Sequence, residues 1–265
     1  LEETLGTALF ERRGGRLLMT EAGRAYHRTV QDAFDRIGRE SEAISRRASR
    51  QVTIASNFGF SHFWLRSRLP ALEAAFPGNS FRVVSADRDD AQEMRQADVT
   101  VRFAEFARLK AGERALMTSV VRPVCSPQFA QRHELRGLDG DARRLAWLPL
   151  LHMDEHDPRW LDWEGWLTAR GLPPPDARPV FIYNNYPLLI AAACAGHGIA
   201  LGWDGLIDGF LCDGRLVTCG PAVEQSGYGY VVATRTAAPA FREVADWIYD
   251  ARRPRPDTAG AASGG

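Results

Sequence analysis

From Gln51 onward, short β-branched runs alternate with apolar helical stretches, and this alternation constrains the fold more than any other feature of the chain. "QVTIAS", "FRVVSA", "ADVTVRF", "VRPVCS", "PLLHM", "RPVFIY", "GIALGW" and "GYGYVVATR" read as strands. Between and after them, "SHFWLRSRLPALEAAFP", "QFAQRH", "RWLDWEGWLTARG", "PLLIAAACAGHG" and "PAFREVADWIYDARR" read as helices. Alternation of this kind predicts an α/β fold with parallel sheets covered by helices on both faces. Two such units joined by crossing strands give two lobes with a cleft between them. The crossing strands are expected around Val121–Cys125 and Gly227–Val231.

The first fifty residues follow another pattern. Leu1 to Leu5 reads as the tail of a helix whose beginning is missing, with Gly6 as its cap. Leu9-Phe10 and Leu17-Leu18-Met19 read as short strands around Arg13-Gly14-Gly15-Arg16, where the glycines accept positive φ. Such a turn is either a solvated tip or a basic finger that places Arg12, Arg13 and Arg16 on DNA phosphates. Thr20 suits an N-cap and Glu21 the first turn of a helix running to about Ala48. Tyr26, Val30, Ala33, Ile37, Ser41, Ile44 and Ala48 recur every three or four residues, a heptad-like seam. A helix that is roughly 40 Å long with one narrow stripe either packs on its own domain or pairs with a second copy.

Composition removes several classes of function. Basic and acidic residues balance at 33 each, so a DNA contact must come from a local patch rather than from the charge of the whole chain. Four cysteines without a C-x-x-C pair, and no secretory leader, lead us to expect buried thiols in a reducing cytoplasm. Apolar runs such as "LLIAAACAG" are too short to cross a bilayer, so no membrane partner is expected. No nucleophile elbow, dinucleotide loop or P-loop is present, so no enzyme is expected and no cofactor. "HMDEH" places His152 and His156 four apart, the spacing of a helical zinc pair. Pro158 follows at once, however, so the stretch reads as a loop and no metal is expected.

"LEETLGTALFERRGGRLLMTEAG" resembles the end of the recognition helix, the wing and the linker-helix start of LysR-type transcriptional regulators. "FPGNSFRVVSA", "ADVTVRF", "VRPVCSP" and "AAACAGHGIALGW" resemble, in order, the effector domain of that family, and the later segments look most like its glycine-cleavage and choline-sulfate subgroup. The resemblance implies a two-lobed, type 2 periplasmic-binding-protein-like α/β fold behind the remnant of a winged helix-turn-helix. It divides the chain into a wing remnant (1–20), a linker and dimerisation helix (21–50), lobe I (51–122 with 228–253) and lobe II (123–227), and the low-complexity composition of 254–265 reads as a disordered tail. The implied partners are promoter DNA for the full-length protein, a small-molecule effector, and one or three further copies of the chain. Tyr26, Val30, Ala33, Ile37 and Ile44 would form the dimer seam. A free-standing solute-binding protein is the competing reading, but it needs a secretory signal and gives the front segment no purpose.

In open α/β sheets, ligands gather beyond the carboxyl ends of strands. Ser56, Asn57 and Phe58 after the first strand, and Asn185 and Tyr186 before a helix, fit that position either as ligand groups or as helix caps. Arg102 and Phe103 are expected to face the same cleft, Arg102 as an anion fork or as an ion pair. His152 could point inward as a hydrogen-bonding group, and Trp203 could hold a quaternary ammonium with Tyr186. Trp160, Trp163 and Trp166, three apart, read as one helix face turned mostly to the core. The effector is therefore expected to be a small anion or zwitterion: a carboxylate, a sulfate ester or a quaternary amine.

Overall fold

The computed structural model describes residues 1–48, 50–135, 142–154, 159–173 and 181–252. They form two compact units: residues 1–51 with 78–80, and the remainder. The expected tail from residue 254 lies outside the described residues.

In the first unit, helix α1 (Glu2–Leu5) stops at Gly6, whose φ of 64° is left-handed. The Glu2 carboxylate then accepts from the amides of Leu9 and Phe10 at 2.6 and 2.9 Å, starting the hairpin. Strands β1 (Phe10–Arg13) and β2 (Arg16–Met19) pair antiparallel, with Arg13 opposite Arg16. Gly14 and Gly15 take φ of 56° and 76°, the two positive values a tight primed turn needs. Thr20 Oγ1 accepts from Gly23 N at 3.0 Å and caps α2 (Glu21–Ala48). Along α2, Tyr26, Ala33 and Ile37 are exposed and Val30 is half-buried. The Ile44 side chain lies outside the description. Phe34, absent from the expected seam, is 69% exposed beside it.

The second unit opens with β3 (Gln51–Ser56). The single helix expected over "SHFWLRSRLPALEAAFP" instead changes pitch twice. It is wide over Phe60–Leu65, tight over Arg66–Arg68, and becomes α3 at Leu69–Ala75. The restart puts Pro70 in a first turn, where a missing N–H costs nothing. Then come β4 (Ser80–Ser85), α4 (Gln92–Gln96), β5 (Val99–Glu105) and β6 (Arg114–Cys125). α5 (Pro127–Arg132), β7 (His152–Met153), α6 (Trp163–Ala169), β8 (Ile182–Tyr183), α7 (Tyr186–Cys194) and β9 (Ala200–Trp203) follow. The described part ends with α8 (Asp208–Cys212), β10 (Val217–Thr218), β11 (Val223–Thr234) and α9 (Pro239–Asp250).

The main sheet runs β10-β6-β11-β5-β3-β4, with β9 also on β6. It is mixed, not parallel as expected. β3 and β5 are parallel, as are β7 and β8, but β11 is antiparallel to both β5 and β6, and β9 is antiparallel to β6. β11 follows β10 after a short loop and lies between β5 and β6, antiparallel to both. β6 and β11 thus join a half built on β3, β4 and β5 to a half built on β7, β8 and β9. One apolar core, including Ile54, Trp64, Val101, Ile190 and Ile248, extends through both. Burial of the thiols is partial: Cys125 and Cys219 are buried, Cys194 is intermediate and Cys212 is exposed.

The β6–β11 register slips between Gln225 and Gly229. At Gly229 a Cβ would stand 2.0 Å from the Met117 carbonyl oxygen and 2.7 Å from Phe106 Cζ. Gly229→Ala is expected to lower unfolding free energy by about 1–3 kcal/mol or more. Gly209→Ala, on α8 with open space around it, is expected to be neutral or to stabilise by roughly 0.5–1 kcal/mol. Urea denaturation of the two variants checks both.

Candidate functional site

Cross-strand register decides which side chains the two halves show each other. β11 lies on β5 with Tyr230 opposite Phe103 and Val231 opposite Arg102. Side chains alternate along a strand, so Phe103 and Tyr230 share one face and Arg102 leaves by the other. The Phe103 and Tyr230 rings meet edge to face at 5.5 Å, and Tyr228 lies 6.5 Å from Phe103. From the other half, Trp160 stacks on Phe103 with centroids 4.1 Å apart and planes 19° from parallel. Trp160 also meets Trp203 at 5.4 Å and Tyr230 at 6.0 Å, and Tyr186 meets Trp203 at 5.3 Å.

Trp160 reaches this place because α6 starts later than its tryptophan spacing predicts. Asp162 caps the helix, its carboxylate accepting from Gly165 N at 2.7 Å. Trp163 and Trp166 therefore enter the core, while Trp160 is left on the extended approach. Tyr186 is fixed by its hydroxyl, which accepts from Trp203 N and donates to the Leu201 carbonyl, both at 3.2 Å. Burial of that phenol pushes its pKa far above the ordinary value, so it stays a donor. Trp203 is 6% exposed, and its indole Nε1 is buried without a hydrogen-bond partner among the described residues.

The donors expected to meet an anion are engaged within the chain. Asn57 Oδ1 accepts from Phe60 N at 2.8 Å, and its Nδ2 donates to the Tyr230 hydroxyl at 3.0 Å. Ser56 Oγ is buried 2.6 Å from Ser61 Oγ, which accepts from Ser85 Oγ at 2.8 Å. The Phe58 ring is exposed, and its amide donates to Asp87 Oδ1 at 3.1 Å. Burial pushes the Asp87 carboxyl up, with that amide opposing. Asn185 caps α7, accepting from Leu188 N at 3.1 Å. Arg102, placed by sequence in the cleft, turns away from Phe103 and donates to both Glu113 oxygens at 2.8 Å, the ion-pair alternative. Burial works to raise Glu113, but the Arg102 hydrogen bond, the Lys110 amide and both charges hold it below its usual value.

His152 sits on β7 opposite Ile182, half-buried, and its charged neighbour is Asp162 rather than any of these rings. Of the expected site residues, the structure therefore brings Phe103, Tyr186 and Trp203 together, with Asn57 tied to Tyr230. Tyr228 and Tyr230 were not singled out, and Trp160, read with Trp163 and Trp166 as one helix face, stands apart from them. The alternation in "GYGYVVATR" was the available signal for the two tyrosines. His156 lies outside the described residues, and among those described no cluster of three His, Cys, Asp or Glu could hold a metal. Arg12 and Arg16 are exposed on the hairpin, and the Arg13 side chain is outside the description.

Residues 45–253 match the family model described as the LysR substrate binding domain. The chain is 25% identical over 218 residues to the glycine cleavage system transcriptional activator of Escherichia coli K12, covering 82% of this chain and 69% of that one. It is 28% identical over 253 residues to the transcriptional activator AmpR of Rhodobacter capsulatus, covering 94% and 83%. The solved structure of the AmpR effector binding domain from Citrobacter freundii superposes with a TM-score of 0.61 at 19% identity, over 76% of this chain and 98% of that one.

Burial holds the His152 imidazole below its ordinary pKa of 6.5, with Asp162 opposing. The unfolded chain therefore binds that proton first. The stability from a neutral His152 is full above 6.5 and falls as pH drops through it toward the lower folded value. The urea midpoint is expected to fall between about pH 7.5 and about pH 5.5. His152→Gln should flatten part of that slope, with His62, depressed by burial and by Arg66, keeping the rest.

Proposed function

Because this chain belongs to the LysR family, we propose that it is part of a DNA-binding transcriptional regulator whose two lobes, 51–122 with 228–253 and 123–227, receive a small-molecule effector at their junction. The observation that carries this reading is the convergence of Phe103 and Tyr230 from one lobe with Trp160, Tyr186 and Trp203 from the other. Rings from both lobes let one ligand hold both, which is what a ligand-set interlobe geometry requires. The effector class follows from what is left unspent. Anion donors such as Arg102 and the Phe58 amide serve internal carboxylates. Aromatic faces attract an ammonium group, and Trp203 Nε1, without a partner among the described residues, suits an acceptor on the same molecule. A small zwitterion or quaternary amine combines the two.

The front unit supplies the output. Its exposed hairpin arginines suit DNA phosphates. On α2, Phe34 and Ile37 are 69% and 62% exposed, an apolar stripe that a second copy would cover. Effector binding would then alter how the copies place their DNA-binding segments. The relatives named as transcriptional activators support the same output.

Titration with betaine, choline, choline sulfate and glycine, read by tryptophan fluorescence and calorimetry, is expected to give saturable binding of a quaternary amine. Trp203→Leu should weaken it about tenfold. Silence with every quaternary amine removes that effector class. Light scattering is expected to find a dimer or tetramer, shifted toward monomer by Phe34→Asp with Ile37→Asp. A monomeric parent chain would favour a solute-binding protein instead.

A further inference from the structure

The junction is already occupied by the chain itself. Arg159 and Trp160 come from the approach to α6 in lobe II and reach across to lobe I. Arg159 Nη1 donates to Asp89 Oδ2 at 2.6 Å and to the Phe103 carbonyl at 2.8 Å. Trp160, next in sequence, stacks on the ring of the same Phe103 at 4.1 Å. A cation on a carboxylate and a flat apolar group among rings are therefore presented by two adjacent residues. Without the indole, the face of Phe103 and the rings of Trp203 and Tyr230 would border its place, because each meets it now.

The backbone beneath these side chains is held separately. Gln225 Nε2 donates to the Arg159 carbonyl at 2.9 Å, and Ser119 Oγ donates to Gln225 Oε1 at 3.2 Å. Gln225 is the residue at which the β6–β11 register slips, and Ser119 is its partner across the two strands. The strap is thus tied by its main chain to the strands that join the lobes, and by its side chains to the far lobe.

We propose that Arg159–Trp160 is an intramolecular stand-in for the effector, and that the effector is an organic cation which displaces it. The effector's ammonium group takes the indole's place among Phe103, Trp203 and Tyr230, and Asp89, released from the guanidinium, balances its charge. This rests on the interlobe junction being the effector site. It adds that ligand and strap compete, that Asp89 selects for positive charge, and that displacement relaxes the Gln225 anchor at the crossing strands. A site that is self-occupied most of the time binds more weakly by the fraction left open, so releasing the strap raises affinity.

The test is calorimetric titration of the whole chain with choline chloride, and separately with sodium sulfate and glycine. The variants are Trp160→Ala, Arg159→Gln and Asp89→Asn. Choline is expected to bind Trp160→Ala about tenfold tighter than the parent chain. Arg159→Gln, a half-exposed change that leaves the aromatic packing in place, should also tighten binding, and Asp89→Asn added to Trp160→Ala should lose the gain. Sulfate should gain nothing in any variant. Unchanged or weaker choline binding in both Trp160→Ala and Arg159→Gln overturns the proposal, as does an unaffected Asp89→Asn. If sulfate or glycine binds the parent chain and Trp203→Leu weakens that binding, while choline binds no variant, the strap inference falls and the cleft reading stands. If no ligand binds any variant, both fall.

Discussion

The antiparallel crossing of β6 and β11 is the contact on which the rest of the second unit depends. On the other side of β11, the register with β5 sets Tyr230 opposite Phe103 and leaves Arg102 on the reverse face. A slip of one residue would exchange the two faces and put the Arg102–Glu113 pair where the rings now meet. The same strands hold the irregular register at Gln225 to Gly229, where Gly229 has no room for a side chain. Arg122 on β6 meets Asp204, just past β9, through two bonds of 2.7 and 2.5 Å. Trp203 and the β9 edge are thereby pinned to the crossing. The interlobe geometry is set by strand register first and by side-chain chemistry second.

The electrostatics of the junction follow from who reaches the helix starts first. At the carboxyl end of β3 the Phe58 amide faces Asp87, and the Phe60 amide is taken by Asn57. A carboxylate already seated on one of these amides leaves little for an external anion to gain there, because the desolvation of that donor has been offset internally. Among the described residues, the rings at the junction meet other rings rather than a charged group. That difference is why the proposed effector carries a positive charge, although spacing alone left carboxylates and sulfates open.

The long-range pattern was legible in sequence where periodicity is strong. Strands such as "QVTIAS" and "GIALGW", the Gly14-Gly15 turn and the Thr20 cap all carry local signals that tertiary packing has no reason to override. Strand direction was not legible, since the direction in which β11 enters the sheet is set against β5 and β6, far earlier in the chain. The site was half legible. Trp203 and Tyr186 end or begin well-marked elements, and Phe103 follows from the alternation of "ADVTVRF". Arg102 was misplaced because it is adjacent to Phe103 in sequence and opposite to it in space. Trp160 was misplaced because three-residue spacing suggests one helix face, whereas the Asp162 cap cuts the helix after it. Asp89 and Gln225 gave no local signal, as each matters only through a partner at least 66 residues away.

The strap has the energetics of something meant to come undone. Arg159 and Asp89 are 28% and 35% exposed, and ion pairs of that exposure contribute about 0–1 kcal/mol. The stacked indole contributes more, but a ligand that refills the ring-lined space recovers most of that burial. The net cost of exchange is therefore small compared with the binding energy of even a millimolar ligand, about 4 kcal/mol. A ligand can shift an equilibrium only by its differential affinity for the two states. The strap creates such a difference, because the bound and self-occupied states share the same cage and differ in where Arg159 and its Gln225-held carbonyl are placed. Coupling to the crossing strands thus needs no large lobe motion, only a change in tension at the bulge where β6 and β11 already fail to match.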